Sequence, residues 1–323
     1  MNRIYRADSL FEKWNVDFEE EYPESPICLE DAVLVPRWGL YKNGNLQVES
    51  AMRGMDLHYK DGANLEITNI QTSFQIDEPF FYLSRGNFNH WGHYITETLG
   101  RVHHLLDPKV PTRNVLINAA YPGKFLNPLK ALLEEIGYEV LVLEQNANIS
   151  VAKVYYSPAT MINCYRVKPA HIETLRKYID MTIGAISPIE NDKVYMSRTK
   201  MPQHKRWTVG EDKVEEGLRE GGWTIIYPEE MTLEQQLAHI SGARVLSGCI
   251  GSAFHNLMLS PKQPEQIVYL TNREVDTNPN YALHDRILGN DSAYFDCQNC
   301  LNRSLGNNEF RDIGGTVEFL NSL

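Results

Sequence analysis

The chain has 323 residues, enough for two domains with separate cores, and its 42% hydrophobic and 23% charged content excludes a disordered or fibrous protein. With 31 basic residues against 42 acidic ones the formal net charge is −11, which argues against non-specific nucleic-acid binding and makes any local cluster of cations informative. Five cysteines (Cys28, Cys164, Cys249, Cys297 and Cys300) form an odd set without a disulfide-like pattern, no apolar run has the length of a membrane span, and the first residues lack the apolar core of a signal peptide, so the expected location is cytoplasmic.

The first 75 residues are rich in Pro, Gly and alternating apolar positions, as in Ala32–Pro36 and Leu65–Ile70, and predict short strands and turns. From Gly92 the spacing predicts a helix. A strand at Val115–Ile117, a helix from Asn127 to Ile136 closed by Gly137, and strands at Val140–Leu143 and Val154–Tyr156 follow. A helix opened by Pro169 runs to about Ile186, before Ser187-Pro188, and the domain junction is expected between Ala185 and Asp192. Beyond it come a strand at Val194–Met196, a charged helix from Gly210 to Glu220, and a strand at Trp223–Tyr227. A helix from Leu233 to Ser241 capped by Thr232, a strand at Val245-Leu246 and a helix from Ala253 to Leu259 complete the series. Strands alternating with helices in this way build a parallel sheet with ligands at its carboxyl ends. The expected fold class is α/β: an N-terminal β-rich segment (1–75) packed on a first Rossmann-like domain (76–188), which faces a second (189–323, with a C-terminal extension) across a cleft.

Two strand ends in the second half carry complementary chemistry. After Val194–Met196 come Ser197 and Arg198, and then Lys205 and Arg206 beyond a Pro-containing loop, so cations gather at one strand end. After Val245-Leu246 comes Ser247-Gly248-Cys249-Ile250-Gly251-Ser252, whose glycines allow backbone amides to approach a ligand at the start of the next helix. Arginine forks and exposed amides together suit a diphosphate. Each half also has an ordinary explanation, since Gly/Ser-rich turns are common α/β connections and an arginine after a strand is often solvated.

A second constellation lies in Asn87–Arg101. With Gly92 onward helical, His93, Glu97 and Arg101 share a face, while Ile95, Leu99, Val102 and Leu106 line an apolar one. A His and a Glu one turn apart can form a general base, with Arg101 orienting or ionising the acid; a solvated helix face with an internal ion pair has the same spacing. His90, His93 and Glu97 are metal-capable types without an HExxH arrangement, and Cys297-Gln298-Asn299-Cys300 is a single CxxC that would need ligands from elsewhere.

These pieces resemble the family 61 glycosyltransferases, which include bacterial capsular-polysaccharide transferases, plant xylan-decorating enzymes and eukaryotic O-linked N-acetylglucosaminyltransferases. The resemblance rests on His93 to Glu97, Ser197-Arg198, Lys205-Arg206 with Glu211, the run Pro228–Gln236, and Gly248–Asn256, in the family's order over residues 80–275. Cys249-Ile250, and Lys205 in place of an arginine, depart from common members. The resemblance implies a GT-B architecture and an inverting transfer from a nucleotide-sugar, expected as UDP-linked, to a glycan or lipid-linked glycan acceptor in capsule or surface polysaccharide synthesis. It also implies work at the inner face of the membrane beside membrane-bound polysaccharide machinery. The implied roles are Glu97 or His93 as base with Arg101 orienting it, Arg198 and Arg206 as diphosphate clamps, Gly251, Ser252, His255 and Asn256 as donor pocket, and Glu230 toward ribose hydroxyls. Gln236 is a further candidate. The sequence has no Asp-x-Asp, which agrees with a metal-independent mechanism. Two other classes compete: a sugar-nucleotide epimerase or dehydrogenase, for which an early GxGxxG is missing, and a non-catalytic carbohydrate-binding protein that would keep aromatic surfaces such as Tyr82, Trp91 and Trp207.

Overall fold

The computed structural model describes residues 3–5, 22–36, 38–51, 66–107, 110–143, 147–202, 207–272, 279–302 and 307–323. It is a mixed α/β fold that divides into two compact units: residues 22–182, and Ile183–Leu323 joined by the strand Arg3–Tyr5 (β1).

The first unit is built on a sheet of β2 (Ile27–Val35), β3 (Gly39–Lys42), β4 (Asn45–Leu46), β5 (Phe74–Ile76), β6 (Phe80–Asn87), β7 (Asn114–Tyr121), β8 (Glu139–Leu143) and β9 (Ile149–Tyr156). Its order is β4-β3-β2-β9-β6-β7-β8, with β5 also on β9. The pairs β9-β6, β6-β7 and β7-β8 are parallel, and β2 joins β9 antiparallel. Val115, Leu116 and Ile117 are all buried, the unbroken apolar run of a strand covered on both faces rather than the alternation of a half-exposed one. Phe80, Tyr82, Leu116, Val151 and Leu34 form the core on one side. Helix α1 (Leu126–Glu135) turns Leu126, Leu129, Leu132 and Leu133 inward and is followed by Gly137 at φ 95°, a left-handed termination that glycine adopts at no steric cost. A short hairpin, β10 (Met161–Ile162) and β11 (Arg166–Val167), turns through Asn163, Cys164 and Tyr165, with Cys164 at φ 68°. Helix α2 (Pro169–Thr182) starts at its proline as expected and stops before the predicted Ile186, with Gly184 at φ 85°.

One predicted strand does not form. Of Leu65–Ile70, Leu65 lies outside the described residues, and the rest contribute a single bridge from Glu66 to Asn45 before Asn69 enters the left-handed region at φ 65°. Ile67 and Ile70 are half-buried against Val35, Tyr41, Leu46 and Ala51, three residues apart rather than at the two-residue period of a strand, while Glu66, Thr68 and Asn69 are exposed.

The second unit comprises β12 (Asn191–Met196), β13 (Thr208–Val209), α3 (Glu211–Glu220), β14 (Thr224–Ile226), α4 (Leu233–Gly242), β15 (Ala243–Cys249), β16 (Gln266–Thr271), α5 (Pro279–Leu288), β17 (Ser292–Asp296), β18 (Gln298–Asn302), β19 (Asn307–Phe310) and α6 (Ile313–Asn321). The main sheet has the order β1-β17-β16-β15-β12-β14; its last five strands pair in parallel and β1 closes an edge antiparallel. One face packs Leu246, Ile267 and Tyr269 with Phe254 and Leu257; the other packs Val245, Val268 and Tyr195 against Val214 and Leu218 of α3 and Leu320 of α6. Helix α4 is opened by a capping box: Gln235 N–H donates to Thr232 Oγ1 at 3.2 Å, and Thr232 N–H donates to Gln235 Oε1 at 2.9 Å. Cys297 is buried in the core beside Phe295 and Phe310. Among the described residues no helix is long and apolar enough to cross a membrane.

The register of the two central strands, β12 and β15, determines where the segments leaving them emerge. Met196 lies opposite Gly248 in this parallel pair. Gly248 has φ 158°, and a Cβ there would lie 2.5 Å from the Met196 carbonyl oxygen, so the glycine is required by the close approach of two backbones. Gly248→Ala is expected to destabilise the fold by about 1–3 kcal/mol, the usual cost of overpacking a dense core, as read from the midpoint of urea unfolding.

Candidate functional site

Because Met196 and Gly248 are paired, the residues beyond each strand emerge side by side. Ser197-Arg198-Thr199 leaves β12, and Ile250-Gly251-Ser252 leaves β15. Arg198 Nη1 donates to the Ile250 carbonyl at 3.2 Å, and a Cβ placed on Gly251 would lie 3.5 Å from the same nitrogen. The Arg198 guanidinium thus lies beside Gly251, bonded to the carbonyl of the residue before it. Gly251 itself is extended, at φ −176°, so its lack of a side chain serves space beside the guanidinium rather than backbone strain.

The segment after Gly251 differs from the expected α-helix. Ser252–Met258 is a seven-residue 3₁₀ helix, whose tighter winding aligns fewer peptide dipoles than a long α-helix would. Gly251 and Ser252 are half-exposed, while His255 and Asn256 are buried. The Asn256 amide donates to Gln236 Oε1 at 2.7 Å, and Gln236 in turn donates to the Pro228 and Met231 carbonyls at 2.8 and 3.2 Å. His255 stacks on Tyr281 with ring centroids 5.1 Å apart and meets His284 through its Nδ1 at 3.3 Å. Glu230 is exposed at the end of the 3₁₀ turn Pro228–Glu230. Lys205 and Arg206 lie outside the described residues.

Two acidic residues that the sequence places on a charged helix lie beneath Arg198. Glu211, 1% exposed, accepts the Arg198 backbone N–H at 3.3 Å and the Tyr195 hydroxyl at 3.1 Å through Oε1. Burial pushes its carboxyl up to about 7, against the lowering effect of the Arg198 charge. Glu215, 4% exposed, accepts the hydroxyls of Ser197 and Thr199, the latter at 2.5 Å, through Oε1, and Tyr227 Oη and Arg219 Nη2, both at 2.9 Å, through Oε2. Burial acts to raise its pKa, but these donors outweigh burial and hold it below the ordinary carboxyl value.

In the first unit the segment from Trp91 is helical but changes pitch twice: α over Trp91–His93, π over Tyr94–Thr98 and 3₁₀ over Leu99–Arg101. Widened π turns recur at functional sites because they re-aim side chains. His93 Nδ1 lies 3.0 Å from Glu97 Oε1, with the His93 side chain 35% exposed and that of Glu97 2%. The amide of Asn163, in the β10-β11 turn, donates to the same Glu97 oxygen at 2.5 Å. The His93 ring nitrogen Nδ1 faces the Glu97 carboxyl, which leaves Nε2 on the far side of the ring. Asn163 is the residue that sequence reasoning missed; it lies 66 positions from Glu97 and has no local signature.

Arg101 is buried and its guanidinium donates to the backbone carbonyls of Glu49 at 2.6 Å, Ser157 at 3.2 Å and Ala51. Burial lowers its pKa, and the charges of Glu49 and Glu97 act in the opposite direction. It therefore fastens the end of the helical run to two other segments and also acts on Glu97 through space. Of the aromatic candidates, Tyr82 is core, Trp91 packs on Phe125 at 5.1 Å between ring centroids, and Trp207 is exposed. A cavity of about 590 Å³ in this unit is lined by Tyr22, Glu24, His103, His104, Asp107 and Glu173, and none of the predicted catalytic residues lines it.

The fold and these clusters define a mixed α/β protein with an arginine-bearing strand end in one unit and a histidine–carboxylate pair in the other. The chain belongs to the glycosyltransferase 61 family, whose model matches residues 91–268, more than half of its length. It is a glycosyltransferase, which takes a sugar donor and an acceptor. Comparison with curated proteins finds no match.

The two buried carboxylates titrate in opposite senses. Folding raises the Glu211 pKa from 4.5 to about 7, so its protonated form contributes stability that is complete below 4.5 and lost as pH rises through about 7. Glu215 is held low, so its contribution is present above the ordinary value of 4.5 and is lost as acid protonates it. Glu211→Gln is therefore expected to raise Tm over the wild type at pH 8, with the advantage shrinking toward pH 5. Glu215→Gln is expected to lower Tm at pH 8. Thermal melts of both variants at the two pH values check the pair of signs.

Proposed function

We propose that the protein is an inverting, metal-independent glycosyltransferase of GT-B architecture that moves a sugar from a nucleotide-sugar, UDP-linked by expectation, to a glycan or lipid-linked glycan in capsule or surface polysaccharide synthesis. In this reading residues 189–323 hold the donor and residues 76–188 the acceptor, in the cytoplasm at the inner face of the membrane. The observation that carries it is the contact of Arg198 with the Ile250-Gly251 backbone at the carboxyl ends of adjacent parallel strands, in a chain of this family.

The chemistry is a single displacement. The acceptor oxygen attacks the anomeric carbon, the bond from that carbon to the diphosphate oxygen breaks, and the acceptor's proton passes to a base. His93 Nε2 is that base; Glu97 orients the imidazole through Nδ1 and stabilises the imidazolium once formed, and Asn163 orients Glu97. Arg101 fixes the end of the helical run that carries both. At the leaving group, Arg198 and Arg206 neutralise the departing nucleoside diphosphate, the role a divalent cation plays beside an Asp-x-Asp motif. The backbone at Gly251 and the Ser252 hydroxyl complete the phosphate contact, Glu230 receives ribose hydroxyls, and the buried His255 and Asn256 hold the shape of the pocket from within.

A nucleotide-sugar screen by thermal shift tests the donor assignment. A donor at a hundred times its Kd stabilises the fold by about 2.7 kcal/mol, and Arg198→Ala is expected to remove the shift. His93→Ala is expected to keep it while lowering turnover by roughly 10²–10⁴, the usual worth of a general base. No shift with any UDP-, GDP- or CMP-sugar, or full turnover in both His93→Ala and Glu97→Gln, sinks the reading.

A further inference from the structure

We infer that Glu211 and Glu215 are positioning residues for the arginine that meets the donor, and that Glu211 takes up a proton from solvent when the diphosphate binds. The inference rests on the reading of Arg198 as the diphosphate clamp and adds to it a coupling between donor binding and pH.

Glu211 and Glu215 are one turn apart on α3, so both point to the same side of the helix. Glu215 holds the hydroxyls of Ser197 and Thr199, the residues on either side of Arg198. Glu211 holds the backbone N–H of Arg198 itself. A strand-end loop of three residues is thereby tied at each residue to a buried carboxylate, and the guanidinium leaves from a fixed Cα toward the Ile250 carbonyl. Preorganisation of this kind removes the side-chain ordering cost that a solvated arginine would incur on meeting phosphate.

The two acids differ in their surroundings. Glu215 is met by Arg219 from its own helix, Tyr227 from the end of β14, and Ser197 and Thr199 from the end of β12, a donor set that keeps it ionised. Glu211 is faced by Tyr195 and Arg198 from β12 and its end, and by the Cys249 thiol of β15. Burial raises the Tyr195 and Cys249 pKa values far above their ordinary range, so both are neutral near pH 7, and Arg198 supplies the positive charge that favours the Glu211 carboxylate. Glu211 already titrates at about 7 with that charge beside it. A diphosphate docked on Arg198 brings negative charge to the same place and offsets the favourable influence of the Arg198 charge on the Glu211 carboxylate. Protonation of the carboxylate then removes a like-charge repulsion across a buried contact. The proton comes from solvent, and the carboxyl keeps an acceptor oxygen for the Arg198 N–H.

The test uses isothermal titration of the full chain with UDP-glucose, UDP-N-acetylglucosamine and GDP-mannose, whose phosphodiester charges are constant between pH 6 and 8, in two buffers of different ionisation enthalpy. The wild type is expected to bind about five- to tenfold more tightly at pH 6 than at pH 8, with a buffer-dependent heat showing proton uptake near pH 7. Glu211→Gln, which carries the neutral form at every pH, is expected to bind at pH 8 as the wild type does at pH 6 and to show no buffer-dependent heat. Glu215→Gln is expected to weaken binding by a similar factor at both pH values. Binding that is lost in Arg198→Ala but pH-independent in the wild type overturns this inference and leaves the donor reading standing, as does a pH dependence that persists in Glu211→Gln. Unweakened binding by Glu215→Gln overturns its positioning role. Failure of all three probes to bind, or wild-type binding by Arg198→Ala, overturns the donor reading and this inference with it. The two-buffer measurement on the wild type decides the proton uptake even if a variant does not fold.

Discussion

Two parallel strands meet backbone to backbone where Met196 lies opposite Gly248, and the second unit's chemistry depends on that contact. A side chain at position 248 would push β15 away from the Met196 carbonyl and shift whatever leaves the two strand ends. With glycine there, Arg198 and Gly251 come out beside each other, and the guanidinium reaches a backbone carbonyl two residues beyond the paired position. A phosphate-sized anion needs converging donors more than it needs any one strong contact. In the proposed reading the strand register, set deep in the core, supplies that convergence, and Glu211 and Glu215 of α3 hold the Ser197–Thr199 segment from beneath.

The first unit solves a related problem with a buried cation. Arg101 is almost fully removed from water, and a guanidinium in that position requires acceptors for its N–H groups. It finds them in the carbonyls of Glu49, Ala51 and Ser157, so two other segments converge on the end of the helical run that carries His93 and Glu97. The run is held at its other side as well. Thr98 Oγ1 accepts the Asn87 N–H at 3.1 Å, the Thr160 N–H and hydroxyl both donate to the Gly100 carbonyl, and Tyr94 stacks on Phe125. A π turn is less stable than an α turn unless its surroundings specify it, and these contacts specify it. The half-exposed imidazole of His93 therefore stands on a rigid base although its helix is irregular.

Much of the fold was legible because it depends on local signals. The apolar run Val115–Ile117, the terminating Gly137, the opening Pro169 and the Thr232 cap each act over a few residues, and each marks the element it should. The nearness of Arg198 to the segment leaving β15 follows from the parallel pairing of β12 and β15, since a parallel sheet brings the same ends of its strands together. What was not legible depends on distant partners. The alternation of Leu65–Ile70 has the period of a strand, but Ile67 and Ile70 pack three residues apart on Val35, Tyr41, Leu46 and Ala51 instead. Asn163 reaches Glu97 from a hairpin far along the chain, and Gly248 reads as a ligand-loop glycine until the neighbouring carbonyl is seen. Glu211 and Glu215 look like the solvated face of a helix that also bears Asp212, Glu216 and Glu220, because charge alone does not reveal which side of a helix the sheet will cover.

The placement of those two acids carries a consequence for how one helix can hold an anion site. In the proposed reading of Arg198 as a phosphate clamp, carboxylates close to it weaken the field it presents, so their presence needs a compensating gain. Glu215 provides one by giving Ser197 and Thr199 a fixed acceptor, and its charge is already answered by Arg219 and by three hydroxyls before any ligand arrives. Glu211 meets the Tyr195 hydroxyl, the Cys249 thiol and the Arg198 N–H, and these together with the Arg198 charge do not outweigh its burial. The same residue type, one turn apart on one helix, thus supplies a permanent anchor in one case and an adjustable charge in the other. The difference comes from the donors each carboxylate meets on being buried: for Glu215 these are hydroxyls from the β12 end and the β14 end together with Arg219 of α3 itself.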